Sequence, residues 1–180
     1  MTSIVGVAGG LEAGGRTSTA VGGILAGASA RGARTSLLEL SSTPLPEVLR
    51  AITDADAVVV GSPVYRASYS ALLKGVLEGV ERGRQGETGA PLQGKAAAVV
   101  LTGASGHHYL AVDELRDVLA GFFAVQVLAP GLYLDHTGYV DRTTMTDDSA
   151  ALTAAHGSAL LDLTVAVRSS PALAAMRPQV

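Results

Sequence analysis

Short apolar runs alternate with longer segments of helical period from the start of the chain to about residue 168. The runs Ser3–Ala8, Ala57–Gly61 and Lys95–Thr102 are apolar or β-branched almost throughout, which is typical of strands buried on both faces. The pattern predicts the following order of elements: strand Ser3–Ala8, helix Arg16–Ala30, strand Arg34–Leu40, helix Glu47–Ala55, strand Ala57–Gly61, helix Ser70–Gly83, strand Lys95–Thr102, helix Tyr109–Phe123, strand Val125–Leu134, and helix Ser149–Arg168 with Ser149 as its N-cap.

The alternation of strands and helices predicts one parallel sheet covered on both faces, because right-handed crossovers place the connecting helices there. The expected fold class is a doubly wound α/β domain, a three-layer sandwich with a five-stranded parallel sheet of order 2-1-3-4-5. In such sheets ligands bind beyond the carboxyl ends of the strands, where the order reverses between the first and third strands. The loops after Ala8, Gly61 and Thr102 are therefore the predicted ligand-binding loops.

The length and composition fit a single domain. A chain of 180 residues can bury a core without disulfides or metals. Hydrophobic residues make up 48% and aromatic residues only 4%, so we expect small aliphatic layers. Residues 1–168 are assigned to this domain, and residues 169–180 to a C-terminal tail that carries no visible chemistry and is expected to fray.

Charge and cysteine content exclude several function classes. The formal charge of −3 provides no basic surface for nucleic acid or an anionic membrane, so neither partner is expected. The absence of cysteine from the sequence excludes disulfides, thiolate metal sites and cysteine nucleophiles. The apolar run at residues 1–8 has no basic flank and is too short for a signal peptide or a membrane span, which favours a cytoplasmic protein.

The first loop, Gly9–Thr19, combines glycines, an arginine and three hydroxyl side chains where a helix begins. Exposed N–H groups and the positive end of the helix dipole attract anions there. The loop matches neither the Walker pattern nor the dinucleotide glycine fingerprint, which favours a phosphomonoester over a pyrophosphate. A flexible turn whose Ser and Thr side chains only cap the helix is the alternative.

The second loop, Gly61–Ser70, joins a strand to a helix through a proline, two tyrosines and small polar residues. Pro63 restricts the residue before it to an extended conformation, so the chain leaves the sheet in a defined direction. An aromatic edge with outward backbone amides suits a flat heterocycle with acceptors along its rim. A purely structural turn is the alternative.

These residues resemble a known family. The segment GSPVYRASYS at residues 61–70, followed by LLKGVLE at residues 72–78, resembles the signature of the NADPH-dependent FMN reductases. TGASGHHYLAVD at residues 102–113 resembles the corresponding loop of the alkanesulfonate-linked reductases in that family. The resemblance covers the chain from about Ser3 to Leu134 and implies a flavodoxin-like fold that binds FMN and uses NADPH or NADH.

The resemblance also implies three groups of cofactor-binding residues. The first loop would hold the phosphate through Gly10, Arg16, Thr17, Ser18 and Thr19. The second loop would line the flavin edge through Ser62, Pro63, Val64, Tyr65 and Ser68. The third loop would close the other side of the ring through Thr102, Gly103, Ala104, Ser105 and His108.

The chain departs from its relatives at two positions. Glu12 stands where relatives often carry arginine, and a carboxylate there would repel phosphate unless it faces solvent. The sulfonate-linked reductases carry an inserted tyrosine after the Ala-Val-Asp step, but here residues 111–113 run directly into Glu114. In those relatives the insertion accompanies the use of flavin as a released substrate, so its absence suggests that FMN stays bound.

Histidines and acidic pairs do not require a catalytic or metal function. His107 and His108 could transfer a proton, but orienting two rings and excluding water is the protein's main task in this chemistry, so no catalytic residue is assigned. The acidic and histidine residues at 135–136 and 147–148 are sparse, as in solvated turns, and no metal site is predicted.

The leading hypothesis is an NAD(P)H:FMN oxidoreductase that passes electrons to a small-molecule acceptor or supplies reduced flavin to a partner monooxygenase. The alternative is an FMN-bound quinone, azo or nitro reductase or a biosynthetic flavoenzyme. A flavodoxin-type electron carrier is a third class, although carriers are often more acidic. A homodimer or homotetramer is expected, since one subunit has few aromatic residues with which to close a pocket.

Overall fold

The computed structural model describes residues 1–179. Strands and helices alternate as the apolar pattern predicts. The elements are β1 (Ser3–Ala8), α1 (Arg16–Ser29), β2 (Arg34–Glu39), α2 (Leu45–Asp54), β3 (Ala57–Tyr65), β4 (Ser68–Tyr69), α3 (Ala71–Gly79), β5 (Ala96–Thr102), α4 (Ala111–Asp117), β6 (Gln126–Val127), β7 (Leu132–Leu134), α5 (Asp147–Ser169) and α6 (Pro171–Ala174).

The parallel sheet has the predicted order. Its path is β2-β1-β3-β5-β6, which corresponds to 2-1-3-4-5 once the short hairpin strand β4 is left out. The registers Ala8↔Gly61 and Pro63↔Thr102 bring the carboxyl ends of β1, β3 and β5 together. The three loops predicted to bind a ligand therefore meet at one edge of the sheet.

Within residues 1–179 the sheet has seven strand segments instead of the predicted five. One extra segment is β4, which pairs antiparallel with the end of β3. The other arises because the predicted strand Val125–Leu134 is divided into β6 and β7, each paired with β5. Residues 128–131 between them include Pro130, which has no N–H to donate to a ladder.

Helices cover both faces of the sheet, and an apolar layer lies between the sheet and the helices on each face. One layer packs β-strand side chains such as Val58 and Leu101 against α2, α3 and α4. The other packs Ile4 and Val100 against α1 and α5. Small aliphatic residues dominate both layers, as the composition predicts.

The helices α1 and α5 approach each other through two glycines. A Cβ on Gly27 would lie 2.1 Å from the Ala154 carbonyl oxygen, and one on Gly157 would lie 1.8 Å from the Ile24 carbonyl oxygen. Within residues 1–179, α5 is the one helix long and apolar enough to cross a membrane. About a third of that apolar stretch is buried inside the protein, where Leu160, Leu161 and Val167 pack in the layer with α1 and the sheet.

Several helix boundaries differ from the prediction. The N-cap of α5 is Thr146 and not Ser149, whose N–H donates to the Thr146 hydroxyl at 3.4 Å. Helix α4 continues beyond Asp117 as a π-helical turn over residues 118–122. In the tail, the buried Pro178 accepts a hydrogen bond at its carbonyl oxygen from Arg84 Nε at 2.9 Å.

Candidate functional site

A cavity of about 600 Å³ opens at the carboxyl ends of β1, β3 and β5. This is the position at which doubly wound sheets bind ligands, because the strand order reverses there. Its wall is built from the three predicted loops and one further residue: Gly10, Leu11, Glu12, Gly15, Arg16, Thr17, Ser18, Pro63, Val64, Tyr65, Thr102, Gly103, Ala104 and Arg142.

The first wall of the cavity is the N-terminus of α1. Gly15 occupies the N-cap and has no side chain with which to cap the helix. The N–H groups of the first turn have no partner within the helix and carry its positive dipole end. Thr17 and Ser18 are buried in this turn, and Arg16 adds a positive charge. The combination is suited to a phosphate group.

Hydrogen bonds from neighbouring strands hold the first loop. Gly9 donates its N–H to the Gly61 carbonyl at 2.8 Å, and its own carbonyl accepts the Ser70 hydroxyl at 2.7 Å. Gly14 has a φ of 65°, which glycine adopts without strain, and donates its N–H to Glu39 Oε1 at 2.7 Å. Glu39, at the end of β2, therefore helps to fix the conformation of the first loop, which follows β1.

Tyr139 contacts the first residue of α1 in two ways. Its hydroxyl donates to the Arg16 carbonyl at 3.0 Å, and the Arg16 guanidinium lies 5.5 Å from the centre of its ring. Burial raises the pKa of the Tyr139 phenol, and the nearby Arg16 charge opposes that shift only in part. The phenol therefore stays protonated and remains a donor at neutral pH.

The second wall is a hairpin and not the predicted loop. Strand β3 continues through Pro63 to Tyr65 and pairs back with β4 at Tyr65↔Ser68. The two turn residues, Arg66 and Ala67, have φ values of 52° and 65°, as the tight two-residue hairpin turn requires. The hairpin places Pro63, Val64 and the half-exposed Tyr65 along the cavity.

The third wall is anchored to β7. The Tyr133 hydroxyl donates to the Ser105 carbonyl at 2.6 Å, and His136 Nδ1 lies 2.7 Å from the Ala104 carbonyl oxygen. A Cβ on Gly103 would overlap the Tyr133 hydroxyl, so any larger residue there would require the Tyr133 ring to shift. Contacts from β7 and from the turn after it therefore hold this loop, of which Thr102, Gly103 and Ala104 line the cavity.

A buried hydroxyl pair joins the first and third walls. Thr17 Oγ1 and Thr102 Oγ1 are 2.7 Å apart, and both side chains line the cavity. Either hydroxyl can donate to the other. When one hydroxyl donates to the other, the accepting hydroxyl keeps its own hydrogen and can donate it to a bound ligand.

Ten of the fifteen residues predicted to bind the cofactor line this cavity: Gly10, Arg16, Thr17, Ser18, Pro63, Val64, Tyr65, Thr102, Gly103 and Ala104.

The other five predicted residues have their side chains in supporting positions or outside the cavity wall. Thr19 donates to the Gly15 carbonyl within the helix at 3.1 Å. Ser62 is fully buried, and its hydroxyl accepts the Ser70 N–H at 2.8 Å. Ser68 pairs in the hairpin, Ser105 contributes its carbonyl to the Tyr133 bond, and His108 lies in an exposed single turn of 3₁₀ helix.

One charged pair at the cavity was not predicted from the sequence. Arg142, from the segment between β7 and α5, lines the cavity and contacts Glu12 at 2.6 Å between Nη2 and Oε2. The repulsive carboxylate predicted in the first loop is therefore paired with a cation. Arg142 is 130 positions away in the sequence, and no local pattern around it indicates this contact.

Asp135 and His107 have structural contacts. Asp135 accepts the Thr137 N–H at 2.9 Å and its hydroxyl at 2.6 Å, so it caps a 3₁₀ turn. These bonds outweigh burial and hold the pKa of Asp135 below its usual range. His107 Nδ1 lies 3.1 Å from the Ser105 hydroxyl.

The sequence is similar to FMN reductases. The profile of the NADPH-dependent FMN reductases matches residues 2–139. The chain is 37% identical over 95 residues to the NADH-dependent FMN reductase SfnF of Pseudomonas putida, covering 53% of this chain and 47% of that protein. It is 36% identical over 92 residues to FMN reductase (NADPH) of Escherichia coli (strain K12), covering 50% and 44%. The chain thus spans about half the length of the curated relatives it matches.

Solved structures confirm the flavodoxin-like fold. An apo form of the NADH:FMN oxidoreductase EMOB superimposes with a TM-score of 0.78 at 24% identity, over 96% of this chain and 94% of that one. A flavodoxin from the domain Archaea superimposes with a TM-score of 0.65 at 17% identity, over 91% and 99%. With the profile match extending through all three walls of the cavity, the chain belongs to the NADPH-dependent FMN reductase family.

Proposed function

We propose that this chain binds FMN in the cavity and reduces it with NADPH or NADH. The observation that carries the proposal is the meeting of an uncapped helix N-terminus with a tyrosine-bearing hairpin at the point where the strand order reverses. Family membership adds independent support, since the relatives are named for this reaction.

The residues present fit a phosphorylated planar ring. The phosphate end would be held by the first-turn N–H groups, the hydroxyls of Thr17 and Ser18, and Arg16. The predicted contribution of Gly10 and Thr19 would be through their backbone and the shape of the loop. A volume of about 600 Å³ lies within the range of cofactor sites.

The ring would lie between the hairpin and the third loop. Pro63, Val64 and Tyr65 would support one edge, while Thr102, Gly103 and Ala104 would face the other. When bound, FMN supplies the redox chemistry by accepting electrons from a nicotinamide and passing them to an acceptor. The chain's own residues orient the ring, exclude water from one side and leave the Tyr65 side open to a second molecule.

Oxidation of NADPH and NADH by the purified protein tests this function. With FMN and an electron acceptor present, the nicotinamide absorbance is expected to fall at a rate proportional to protein concentration. Unchanged absorbance with both nicotinamides and a panel of acceptors that includes oxygen, quinones and excess FMN would contradict the proposal.

A reductase with permanently bound FMN is the second candidate. Its support is that residues 111–113 run directly into Glu114 within the α-helical part of α4, without the tyrosine that the sulfonate-linked relatives insert there; the π-helical turn follows later, over residues 118–122. A bound cofactor predicts flavin absorbance that survives desalting and quinone reduction that is independent of added FMN. Colourless protein whose activity saturates with added FMN would instead support a released flavin, as required for supply to a monooxygenase.

A flavodoxin-type carrier would behave differently from both reductases. It would bind FMN, be reduced slowly by NADPH and be reduced rapidly by a partner reductase. Stopped-flow reduction with NADPH alone separates this class from the enzymes.

A second copy of the chain is the proposed cover for the open side of the cavity. Tyr65, Tyr109 and Leu110 are 45%, 59% and 60% exposed. These residues belong to the hairpin and to the segment that follows the third loop, so association through them would add a wall that one subunit lacks. Light scattering coupled to chromatography tests for a dimer or tetramer, and a monomer at all concentrations would contradict it. A cytoplasmic location remains part of the proposal.

A further inference from the structure

The segment between β7 and α5 presents an arginine to the cavity from outside the three predicted loops. An isolated bridge joins Tyr139 to Met145, and the Val140 N–H donates to the Thr144 carbonyl at 2.9 Å. These bonds close a short loop with Arg142 near its tip. The loop has its own hydrogen bonds, so the arginine is carried by a structured element.

The Arg142 guanidinium lies beside the N-cap of α1. Its Nε and Nη2 atoms are each 3.9 Å from the position that a Cβ on Gly15 would occupy. Gly15 precedes the first-turn N–H groups that form the anion cradle. The guanidinium is therefore placed where a phosphate at the helix terminus would be within reach.

Glu12 forms an ion pair with this arginine. The two side chains form a 2.6 Å ion pair, although Arg142 and Glu12 are 60% and 72% exposed. An exposed pair of this kind contributes little to stability, because water screens it. The Arg142 nitrogens beside Gly15 are Nε and Nη2, and Glu12 occupies Nη2, so a phosphate bound through both nitrogens must displace the carboxylate.

A phosphate and the Glu12 carboxylate compete for the same cation. Both are anions that bind a guanidinium through two oxygens, but the phosphate also receives the helix N–H groups. Arg16 is the other cation lining the cavity, and it already lies over the Tyr139 ring. Arg142 is thus the cation whose existing partner a phosphate could displace.

We propose that Arg142 binds the phosphate of FMN and that Glu12 competes with the phosphate for Arg142, which lowers the affinity for FMN. This inference rests on the proposed function. It makes the ion pair a determinant of how readily FMN dissociates, and it identifies a phosphate-binding residue outside the segment that the family profile covers.

Fluorescence titration with FMN and with riboflavin separates the phosphate from the ring. Arg142→Gln is expected to weaken FMN binding about tenfold, or about 1.4 kcal/mol, while leaving riboflavin binding unchanged, since riboflavin has no phosphate for the guanidinium to bind. Arg31→Gln is the matched control, because Arg31 forms a similarly exposed 2.7 Å pair with Asp162 and does not line the cavity. Thermal unfolding of both variants establishes that they are folded.

Glu12→Gln tests the competition. It is expected to tighten FMN binding several-fold in the wild-type background and to have little effect once Arg142→Gln is present. A Glu12→Gln effect of equal size in both backgrounds would show that Glu12 acts on the phosphate directly, and would overturn the competition.

The possible results distinguish this inference from the proposed function. Wild-type protein that binds neither FMN nor riboflavin contradicts the proposed function itself. Wild-type protein that binds FMN, with Arg142→Gln binding it equally well or losing riboflavin to the same extent, contradicts only the role of Arg142.

Discussion

The contact between α1 and α5 predicts opposite effects for the same substitution at two glycines. Gly157→Ala adds a methyl group to the face of α5 that touches α1. That methyl carbon would lie 1.8 Å from the Ile24 carbonyl oxygen and 2.8 Å from the Ala28 nitrogen. Both neighbours are backbone atoms, so no side-chain rotation can relieve the overlap. The helices would have to separate by about 1 Å.

The magnitude follows from two opposing terms. Overpacking of a tight interior costs about 1–3 kcal/mol, and a backbone clash lies at the upper end of that range. Alanine is favoured over glycine in a helix by about 0.8–1.0 kcal/mol, which offsets part of the cost. The expected net effect is a decrease of about 2 kcal/mol in the free energy of unfolding, which lowers the Tm by roughly 4–8 °C for a domain of this size.

Gly22→Ala is the matched control on α1. A Cβ on Gly22 has no neighbour within 4 Å, so only the helix-propensity term applies. Its free energy of unfolding is expected to increase by roughly 0.5–1 kcal/mol. Urea unfolding followed by circular dichroism measures both variants. A Gly157→Ala protein as stable as the Gly22→Ala protein would refute the close approach of the two helices.

Two further substitutions test electrostatic and loop contacts. Burial would raise the pKa of Asp56, but the hydrogen bond from Ser3 and the ion pair with Arg168 outweigh it and hold that pKa below its usual value. The ionised carboxylate therefore stabilises the folded protein above about pH 4, and this stabilisation is lost as the pH falls through the lowered pKa. Asp56→Asn should therefore lower the free energy of unfolding by about 1–2 kcal/mol at pH 7, and its stability should fall less steeply in acid than that of the wild type. An equally steep loss of stability in acid would show that Asp56 does not cause this pH dependence. Tyr133→Phe removes the donor to the Ser105 carbonyl, so the free energy of unfolding should fall by about 1 kcal/mol and FMN should bind more weakly in a fluorescence titration. Unaltered FMN affinity would show that this hydrogen bond does not position the third loop for FMN.

The position of the site was predictable because it depends on the order of the strands more than on the conformation of individual loops. Buried apolar runs identify β1, β3 and β5, and parallel topology brings their carboxyl ends together. The hairpin was not predictable in the same way. Arg66 and Ala67 adopt positive φ values, whereas the sequence signal for such a turn is Asn-Gly or Asp-Gly. The segment was therefore predicted as a loop.

Contacts between distant segments account for most of what the sequence could not predict. The bond from Gly14 to Glu39 and the ion pair from Glu12 to Arg142 join residues separated by 25 and 130 positions. The N-cap of α5 was wrong for a local reason. Thr146 and Ser149 both carry a capping hydroxyl before an apolar helical pattern, and the structure selects the earlier one.

A crystal structure of the protein grown with FMN would show directly whether the cavity holds the cofactor. We expect the phosphate at the N–H groups of residues 16–18, within reach of Arg142, and the ring between Tyr65 and Gly103. FMN bound elsewhere on the molecule, or bound in this cavity with its phosphate away from α1, would refute the proposed site.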